Sequence, residues 1–262
     1  KYLIGKYLIL LSLILMIIAL ARPQLLSENR IVKKDGIDIA ISLDLSQSML
    51  QEDFTPNRLE KAKEVLDEFI DKRGNDRLSL IVFGGDAYTK VPLTFDHNVI
   101  KEMTRKLTVD DITSNTRTAI GMGIGVALNR LKDSEAKSKV IILLTDGENN
   151  SGEMSPSAAA DIAKELGIKI YTIGIGAKEI KVPSFFGYKT VKNTELDENM
   201  LKSIAETTGG EYFRASDSKE FKEIFNKIDA LEKTKIDGRT FYDKHELFEN
   251  LLKLSLILLV LG

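Results

Sequence analysis

The fold of this chain is decided by the stretch Asp38-Ile39-Ala40-Ile41-Ser42-Leu43-Asp44-Leu45-Ser46-Gln47-Ser48-Met49. Its first half is apolar and rich in β-branched residues, which is typical of a strand buried in a parallel sheet. The strand ends in Asp-x-Ser-x-Ser, so Asp44, Ser46 and Ser48 follow its carboxyl end. Ligands of open α/β sheets bind at that end, and hard oxygen donors suit a small divalent cation such as Mg²⁺. The alternative is that Asp44 caps the next helix and the serines bond to a turn.

A second stretch of the same kind follows later in the chain. Lys139–Leu144 is predicted to be another buried strand, and it ends in Thr145-Asp146-Gly147. Strands and helices alternate with short connections, which predicts an α/β fold with a Rossmann-like, doubly wound and mainly parallel sheet. Because parallel strands end at one edge of a sheet, we expect the loops of Asp44 and Asp146 to lie at the same edge.

The other elements are predicted from apolar periodicity and turn residues. Further strands are expected at Leu78–Phe83, Asp86–Val91 and Ile168–Ile175, and a turn followed by a short strand is expected within Gly209–Phe213. Helices are expected at Leu59–Ile70, Thr94–Leu107, Ala119–Leu131, Pro156–Leu166, Asp197–Thr207 and Ser216–Leu231. Gly121, Gly123 and Gly125 neither follow a strand directly nor match G-x-G-x-x-G, so they indicate close helix packing rather than nucleotide binding.

An irregular insertion is predicted between Lys178 and Asn193. It carries apolar residues that a surface loop would not need, including Phe185 and Phe186 side by side. We expect these aromatics either to form part of a surface for a partner or to pack over the edge of the sheet.

The composition excludes several classes of function. With 262 residues, of which 43% are hydrophobic, the chain can bury one substantial core. A net charge of -2 provides no basic field for nucleic acid. The absence of cysteine excludes disulfides, thiolate metal sites and a cysteine nucleophile. His97 and His245 are the only histidines, which argues against a multi-histidine metal site, and they are interpreted as helix-start and linker residues.

Apolar segments flank the predicted domain. Residues 7–21 carry no charge, and with the residues before them they approach the roughly 20 that span a bilayer, so a transmembrane helix is predicted. The alternative is a signal peptide, because Ala19-Leu20-Ala21 resembles a cleavage site. The expected organisation is a transmembrane helix at 2–21, a connector at 22–35, the α/β domain at 36–231, a charged linker at 232–250 and the start of a second transmembrane helix at 251–262.

Three separated pieces of sequence resemble the von Willebrand factor A (VWA) domain with a metal-ion-dependent adhesion site. They are Asp44-x-Ser46-x-Ser48, Thr118 in its loop and Thr145-Asp146-Gly147, in the family's order within residues 36–230. The resemblance implies that Ser46 and Ser48 bind Mg²⁺, or Mn²⁺ or Ca²⁺, through their hydroxyls. It also implies that Asp44 and Asp146 hold the cation's waters or coordinate it directly, and that Thr118 becomes a ligand when a partner binds. Arg117 departs from the family, whose members usually have glycine before this threonine.

A metal bound at that site would in turn bind an acidic side chain of another protein. Neutral hydroxyls leave the metal electron-poor, so that an Asp or Glu carboxylate of a protein partner completes an octahedral set of ligands. If both aspartates bound directly, their charge would largely neutralise Mg²⁺ and weaken this attraction.

Most of the chain further resembles the bacterial Bat aerotolerance type of membrane-anchored VWA protein. The matching pieces are Ala21-Arg22-Pro23-Gln24, Thr55-Pro56-Asn57-Arg58-Leu59, Pro92-Leu93-Thr94, residues 171–176, residues 208–215 and Leu231-Glu232-Lys233. The resemblance implies a protein of the bacterial inner (cytoplasmic) membrane with its domain on the periplasmic side, although the positive charges after the first apolar segment favour the cytoplasm. The partners it implies are a MoxR-type AAA+ ATPase, other VWA or repeat proteins, and membrane lipid.

We therefore predict a non-enzymatic, membrane-anchored binding module without catalytic residues. One alternative is a surface adhesin for a host or matrix protein, which would use the same metal site. Metal-dependent phosphoryl transfer is disfavoured, because Ser46 stands where that chemistry requires a second acid and the sequence has no P-loop pattern. A serine hydrolase is disfavoured because the chain offers neither G-x-S-x-G nor a histidine suitably placed as base.

Overall fold

The computed structural model of the chain describes residues 2–21, 23–27, 36–113, 116–177, 179–184, 187–192, 196–233, 243–246 and 248–261. The helices are α1 (Tyr2–Leu20), α2 (Arg58–Asp71), α3 (His97–Lys106), α4 (Ile120–Leu131), α5 (Pro156–Glu165), α6 (Glu198–Thr208), α7 (Ser218–Lys233) and α8 (Phe248–Leu261). The strands are β1 (Gln24–Ser27), β2 (Asp38–Asp44), β3 (Arg77–Phe83), β4 (Ala87–Thr94), β5 (Lys139–Thr145), β6 (Lys169–Ile175), β7 (Glu179–Ser184), β8 (Gly187–Lys192), β9 (Tyr212–Ala215) and β10 (Asp243–Glu246).

The chain forms two compact units, residues 35–236 and residues 1–34 with 237–262. In the second unit α1 and α8 are in contact, and β1 pairs antiparallel with β10. Strand β1 lies within the segment predicted to be a connector. Helices occupy both predicted membrane segments, but no helix in the described part of the chain is both long enough and apolar enough to cross a membrane.

The larger unit is built on a six-stranded sheet in the order β4-β3-β2-β5-β6-β9. All neighbouring strands are parallel except β4, which runs antiparallel to β3 at one edge. The predicted α/β class and mainly parallel sheet are therefore confirmed. The chain leaves β2 towards β3 on one side and reaches β5 on the other side later, so the crevice between the carboxyl ends of β2 and β5 is a topological switch point.

Helices cover both faces of this sheet, as the uninterrupted apolar strands require. Every residue of β2 is buried, with Ile39, Ile41 and Leu43 facing the core under α2, α3 and α7. The opposite face of the sheet packs against α4, α5 and α6. Each fully buried Ile or Leu contributes about 1.5–3 kcal/mol. The core therefore holds the loops at the strand ends on a rigid base.

The glycines of α4 permit close packing, as predicted. A Cβ added at Gly121 would lie 2.1 Å from the carbonyl oxygen of Met154, and one at Gly123 would lie 2.7 Å from the ring of Phe83. Real Cβ atoms do not approach other atoms so closely. The small residues thus let α4, which starts directly after the Thr118 loop, lie tightly against the sheet at Gly123 and against the segment before α5 at Gly121.

Two predictions about local structure are corrected. The strand predicted to stop before Pro92 continues through it to Thr94, because β4 is an edge strand and the missing N–H of proline is tolerated there. The predicted irregular insertion contains an antiparallel hairpin, β7 with β8, whose β-branched residues favour strands. Phe185 and Phe186 lie outside the described residues.

Candidate metal centre

The ends of β2 and β5 bring Asp44 next to Thr145. The two strands are paired in register, with Leu43 opposite Leu144. The Thr145 hydroxyl donates to Oδ2 of Asp44 at 2.5 Å, and the backbone N–H of Ser46 donates to Oδ1 at 2.8 Å. Asp44 is fully buried. Part of its role is therefore to hold the turn that leads to Ser46, rather than to cap the following 3₁₀ helix, whose N-cap is Ser46. Its carboxylate also faces the second acidic loop.

The two serines connect Asp44's turn to Asp146. Oγ of Ser46 lies 3.0 Å from Oγ of Ser48, and Ser48 donates to Oδ1 of Asp146 at 2.7 Å. A short 3₁₀ helix over Gln47–Leu50 gives the serines this spacing. Hydrogen bonds thus link the hydroxyls of Ser46 and Ser48, which follow β2, to the carboxylate of Asp146, which follows β5.

Thr118 reaches the same place from a third loop. Asn150 holds this loop, because its side chain accepts from the N–H of Thr118 at 2.9 Å and its own N–H donates to the Thr118 carbonyl at 3.0 Å. Thr118, Ser46, Ser48 and Asp146 line one open cleft together with Gln47, Gln51, Thr116, Gly147, Glu148 and Asn150. Arg117 is exposed. We call Asp44, Ser46, Ser48, Thr118 and Asp146 the candidate metal centre.

A buried arginine supports this centre, in a role that the sequence pattern does not predict. Arg58, the first residue of α2, donates through Nη1 to Oδ2 of Asp146 at 2.9 Å. Its Nε and Nη2 each donate to Asp53 at 2.8 Å, in the bidentate geometry that suits guanidinium and carboxylate. Asp53 also accepts from the N–H of Ala177 at 2.9 Å. Arg58 and Asp53 were not predicted because arginine at a helix start is common on protein surfaces.

The electrostatics of the centre favour a cation. Burial, together with the neighbouring charge of Asp146, raises the pKa of Asp44 to about 7, although hydrogen bonds from Thr145 and Ser46 oppose the shift. Arg58 compensates the charge of Asp146 and not that of Asp44. Burial alone would raise the pKa of Asp53, but hydrogen bonds from Arg58 and Ala177 outweigh it and hold that pKa below its ordinary value.

The donor set fits a hard divalent cation. Carboxylate and hydroxyl oxygens converge on an open cleft, and such oxygens are what Mg²⁺, Mn²⁺ and Ca²⁺ prefer. Among the described residues no group of three or more acidic, histidine or cysteine side chains is placed to hold a metal. Any cation at the centre would therefore depend on the hydroxyls as well as on the two aspartates.

Comparisons with known proteins agree with this architecture. A sequence model of the von Willebrand factor type A domain matches residues 38–227. A protein of Borreliella burgdorferi is 35% identical over 244 residues, which cover 88% of this chain and 71% of that protein.

Solved structures of bacterial proteins are similar as well. BatB from Bacteroides thetaiotaomicron is 33% identical with a TM-score of 0.64, over 76% of this chain and 100% of that one. An aerotolerance-related membrane protein from Bacteroides fragilis is 32% identical with a TM-score of 0.64, over 77% of this chain and 100% of that one.

Proposed function

Since this chain belongs to the von Willebrand factor type A domain family, we propose that its candidate metal centre binds a divalent cation and through it captures an acidic side chain of a protein partner. The observation that carries the proposal is the convergence of oxygen donors from three loops on one open cleft at the switch point of the sheet. A bound Mg²⁺ would supply a hard Lewis acid with room for a carboxylate. The protein's part is to hold the hydroxyls and aspartates in place before the cation arrives.

The proposal is for a binding module rather than an enzyme. Ser48 donates a hydrogen bond to Asp146, and Asp146 is in turn paired with buried Arg58, so this carboxylate is occupied as a positioning group. His97, at the start of α3, has Nε2 at 2.8 Å from the carbonyl of Asp76, which precedes the amino end of β3. It therefore sits at the edge of the sheet opposite the serines, which disfavours a serine hydrolase.

We propose further that the protein works at the bacterial inner membrane, with its VWA domain on the periplasmic side. Its partners there would be a MoxR-type AAA+ ATPase and other VWA or repeat proteins. Similarity to BatB and to an aerotolerance-related membrane protein supports this setting. Exposed apolar side chains on α1 and α8 support membrane attachment, among them Leu10, Ile17, Leu20, Ile257 and Val260.

Calorimetric titration of the chain with Mg²⁺ and with Mn²⁺ tests the metal. Saturable binding by the wild type, abolished in the Ser46→Ala/Ser48→Ala double variant, is the expected result. Equal heats from the two proteins would refute the proposed centre.

Capture of a MoxR-type ATPase by the protein, measured with and without chelator, tests the proposed partner. Sedimentation of the protein with membranes after a carbonate wash tests the proposed membrane attachment.

A further inference from the structure

Arg58 is the largest fully buried side chain in the described part of the protein, and it carries a charge. Burying a guanidinium costs several kcal/mol unless it is paired and hydrogen-bonded. Here Nε, Nη1 and Nη2 all donate to carboxylates, two of them to Asp53 and one to Asp146. The charges therefore alternate from Asp53 through Arg58 to Asp146, and only the last belongs to the candidate metal centre.

We infer that Arg58 and Asp53 are positioning residues that set the orientation and the effective charge of Asp146, and thereby the cation affinity of the centre. The inference rests on the proposed function. Arg58 occupies Oδ2 of Asp146, so Oδ1 is the oxygen turned towards Ser48 and the cleft. The arginine fixes which oxygen the centre can use.

Asp53 determines how much of the arginine's charge Asp146 receives. With Asp53 ionised, the guanidinium is shared between two carboxylates, and Asp146 keeps part of its attraction for a cation. Without the negative charge of Asp53, the full positive charge of Arg58 would act on Asp146 and would repel a divalent ion bound beside Asp146. Coulomb energies between a unit charge and a divalent ion on the two sides of one carboxylate are large enough to change affinity by about tenfold or more.

The structure holds Asp53 firmly in this role. Its Oδ2 accepts from the N–H of Ala177, the second residue after β6. Arg214 donates to the carbonyls of Ala177 and Gly176 at 3.1 and 3.4 Å, which fixes that backbone. The pair is therefore organised before any cation binds.

The test uses two variants with opposite expected effects, measured with Mn²⁺ alone as the probe. Asp53→Asn keeps the size of the side chain and leaves Arg58 uncompensated, so Mn²⁺ should bind about tenfold more weakly. Arg58→Gln keeps a donor for Asp146 and removes the positive charge, so Mn²⁺ should bind more tightly. Both substitutions disturb the same buried network, so loss of fold stability alone cannot produce opposite signs.

Glu232→Gln provides the control. It neutralises another buried, multiply bonded carboxylate, which accepts from Lys169 at the amino end of β6, away from the centre. Its Mn²⁺ affinity should equal that of the wild type. Circular dichroism identifies which variants are folded. If Arg58→Gln is not folded, Asp53→Asn still overturns the inference when it binds Mn²⁺ as tightly as the wild type does.

The outcomes distinguish failure of the proposed metal site from failure of the positioning role of Arg58 and Asp53. If the wild type binds Mn²⁺ and Asp53→Asn binds it equally well, the positioning role is overturned and the metal site stands. If Asp53→Asn and Arg58→Gln are both folded and both bind Mn²⁺ more weakly than the wild type, Arg58 and Asp53 are merely structural and the inference is again overturned. If wild type binds no Mn²⁺ at all, the proposed function fails and the inference fails with it.

Discussion

The hydroxyl of Ser48 donates to Oδ1 of Asp146 over 2.7 Å, although 98 residues separate the two in the sequence. The bond exists because β2 and β5 are neighbours and both loops leave the same edge of the sheet. The contact therefore depends both on the local Asp-x-Ser-x-Ser sequence and on the order of the strands in the sheet.

Removing both hydroxyls in Ser46→Ala/Ser48→Ala should abolish stabilisation by Mg²⁺. A ligand that binds only the folded state adds about 2.7 kcal/mol at a hundredfold excess over its dissociation constant. Urea unfolding with and without Mg²⁺ measures the gain. The matched control is Ser155→Ala/Ser157→Ala, since these serines lie 3.2 Å apart at the start of α5 and outside the centre. That control should lose about 1 kcal/mol with its helix cap and keep the Mg²⁺ effect.

Thr118→Val should separate partner capture from cation binding. Valine preserves the shape of threonine and removes only the hydroxyl, which the family resemblance assigns to the partner-bound state. We expect Mn²⁺ affinity within about threefold of wild type, because one neutral hydroxyl is a weak ligand compared with a carboxylate, and loss of chelator-sensitive capture. Thr116→Val, on an exposed residue of the same cleft, is the control and should capture partner normally. Capture unchanged in Thr118→Val would exclude its hydroxyl as a ligand.

Glu232 should make the fold sensitive to acid. It accepts from Lys169 at 2.5 Å, Tyr171 at 2.7 Å and Ser138 at 2.7 Å, which ties the end of α7 to the sheet. Burial would raise the pKa of Glu232, but these bonds outweigh it and hold the pKa below its ordinary value. Its contribution is therefore full above the unfolded pKa of about 4.3 and is lost as the pH falls through the lower folded value.

Replacing Glu232 by Gln should accordingly cost about 1–3 kcal/mol at pH 7. The difference between variant and wild type should shrink as the pH is lowered below about 4.3. Urea midpoints measured from pH 7 to pH 3 give both quantities. A difference that stays constant over this range would mean that the charge of Glu232 contributes nothing.

Gly121→Ala should destabilise the domain by about 1–3 kcal/mol, since the added methyl group would meet the carbonyl oxygen of Met154 at 2.1 Å. Gly125→Ala is the matched control in the same helix. There the nearest atom is the flexible Sδ of Met154 at 3.1 Å, and the helix propensity of alanine offsets the contact. Thermal unfolding of the two variants provides the comparison, and equal losses would argue against close packing at Gly121.

Sequence reasoning predicts the sheet and the meeting of the acidic loops because both follow from strand ends. Apolar runs identify β2 and β5, and parallel pairing places Asp44 and Asp146 at one edge without further information. Arg58 could not be predicted in this way. Its partner Asp146 lies 88 residues away, and only the packing of α2 against the sheet shows that the arginine is buried.

The other differences have similar physical causes. Strand β4 passes through Pro92 because it occupies an edge, and edge position is a property of the whole sheet rather than of the segment. The sequence pattern does not predict the β7–β8 hairpin. Its two strands pair only with each other, outside the six-stranded sheet, so they lack the long apolar run that identifies β2 and β5.

The bond from Ala177 to Asp53 has a consequence for how such a protein can diversify. It fastens the chain to the sheet edge just before the β7–β8 hairpin departs. Insertions or deletions beyond that anchor can therefore change the hairpin while the oxygen donors keep their positions. The hairpin and the cluster of oxygen donors can change independently of each other during evolution.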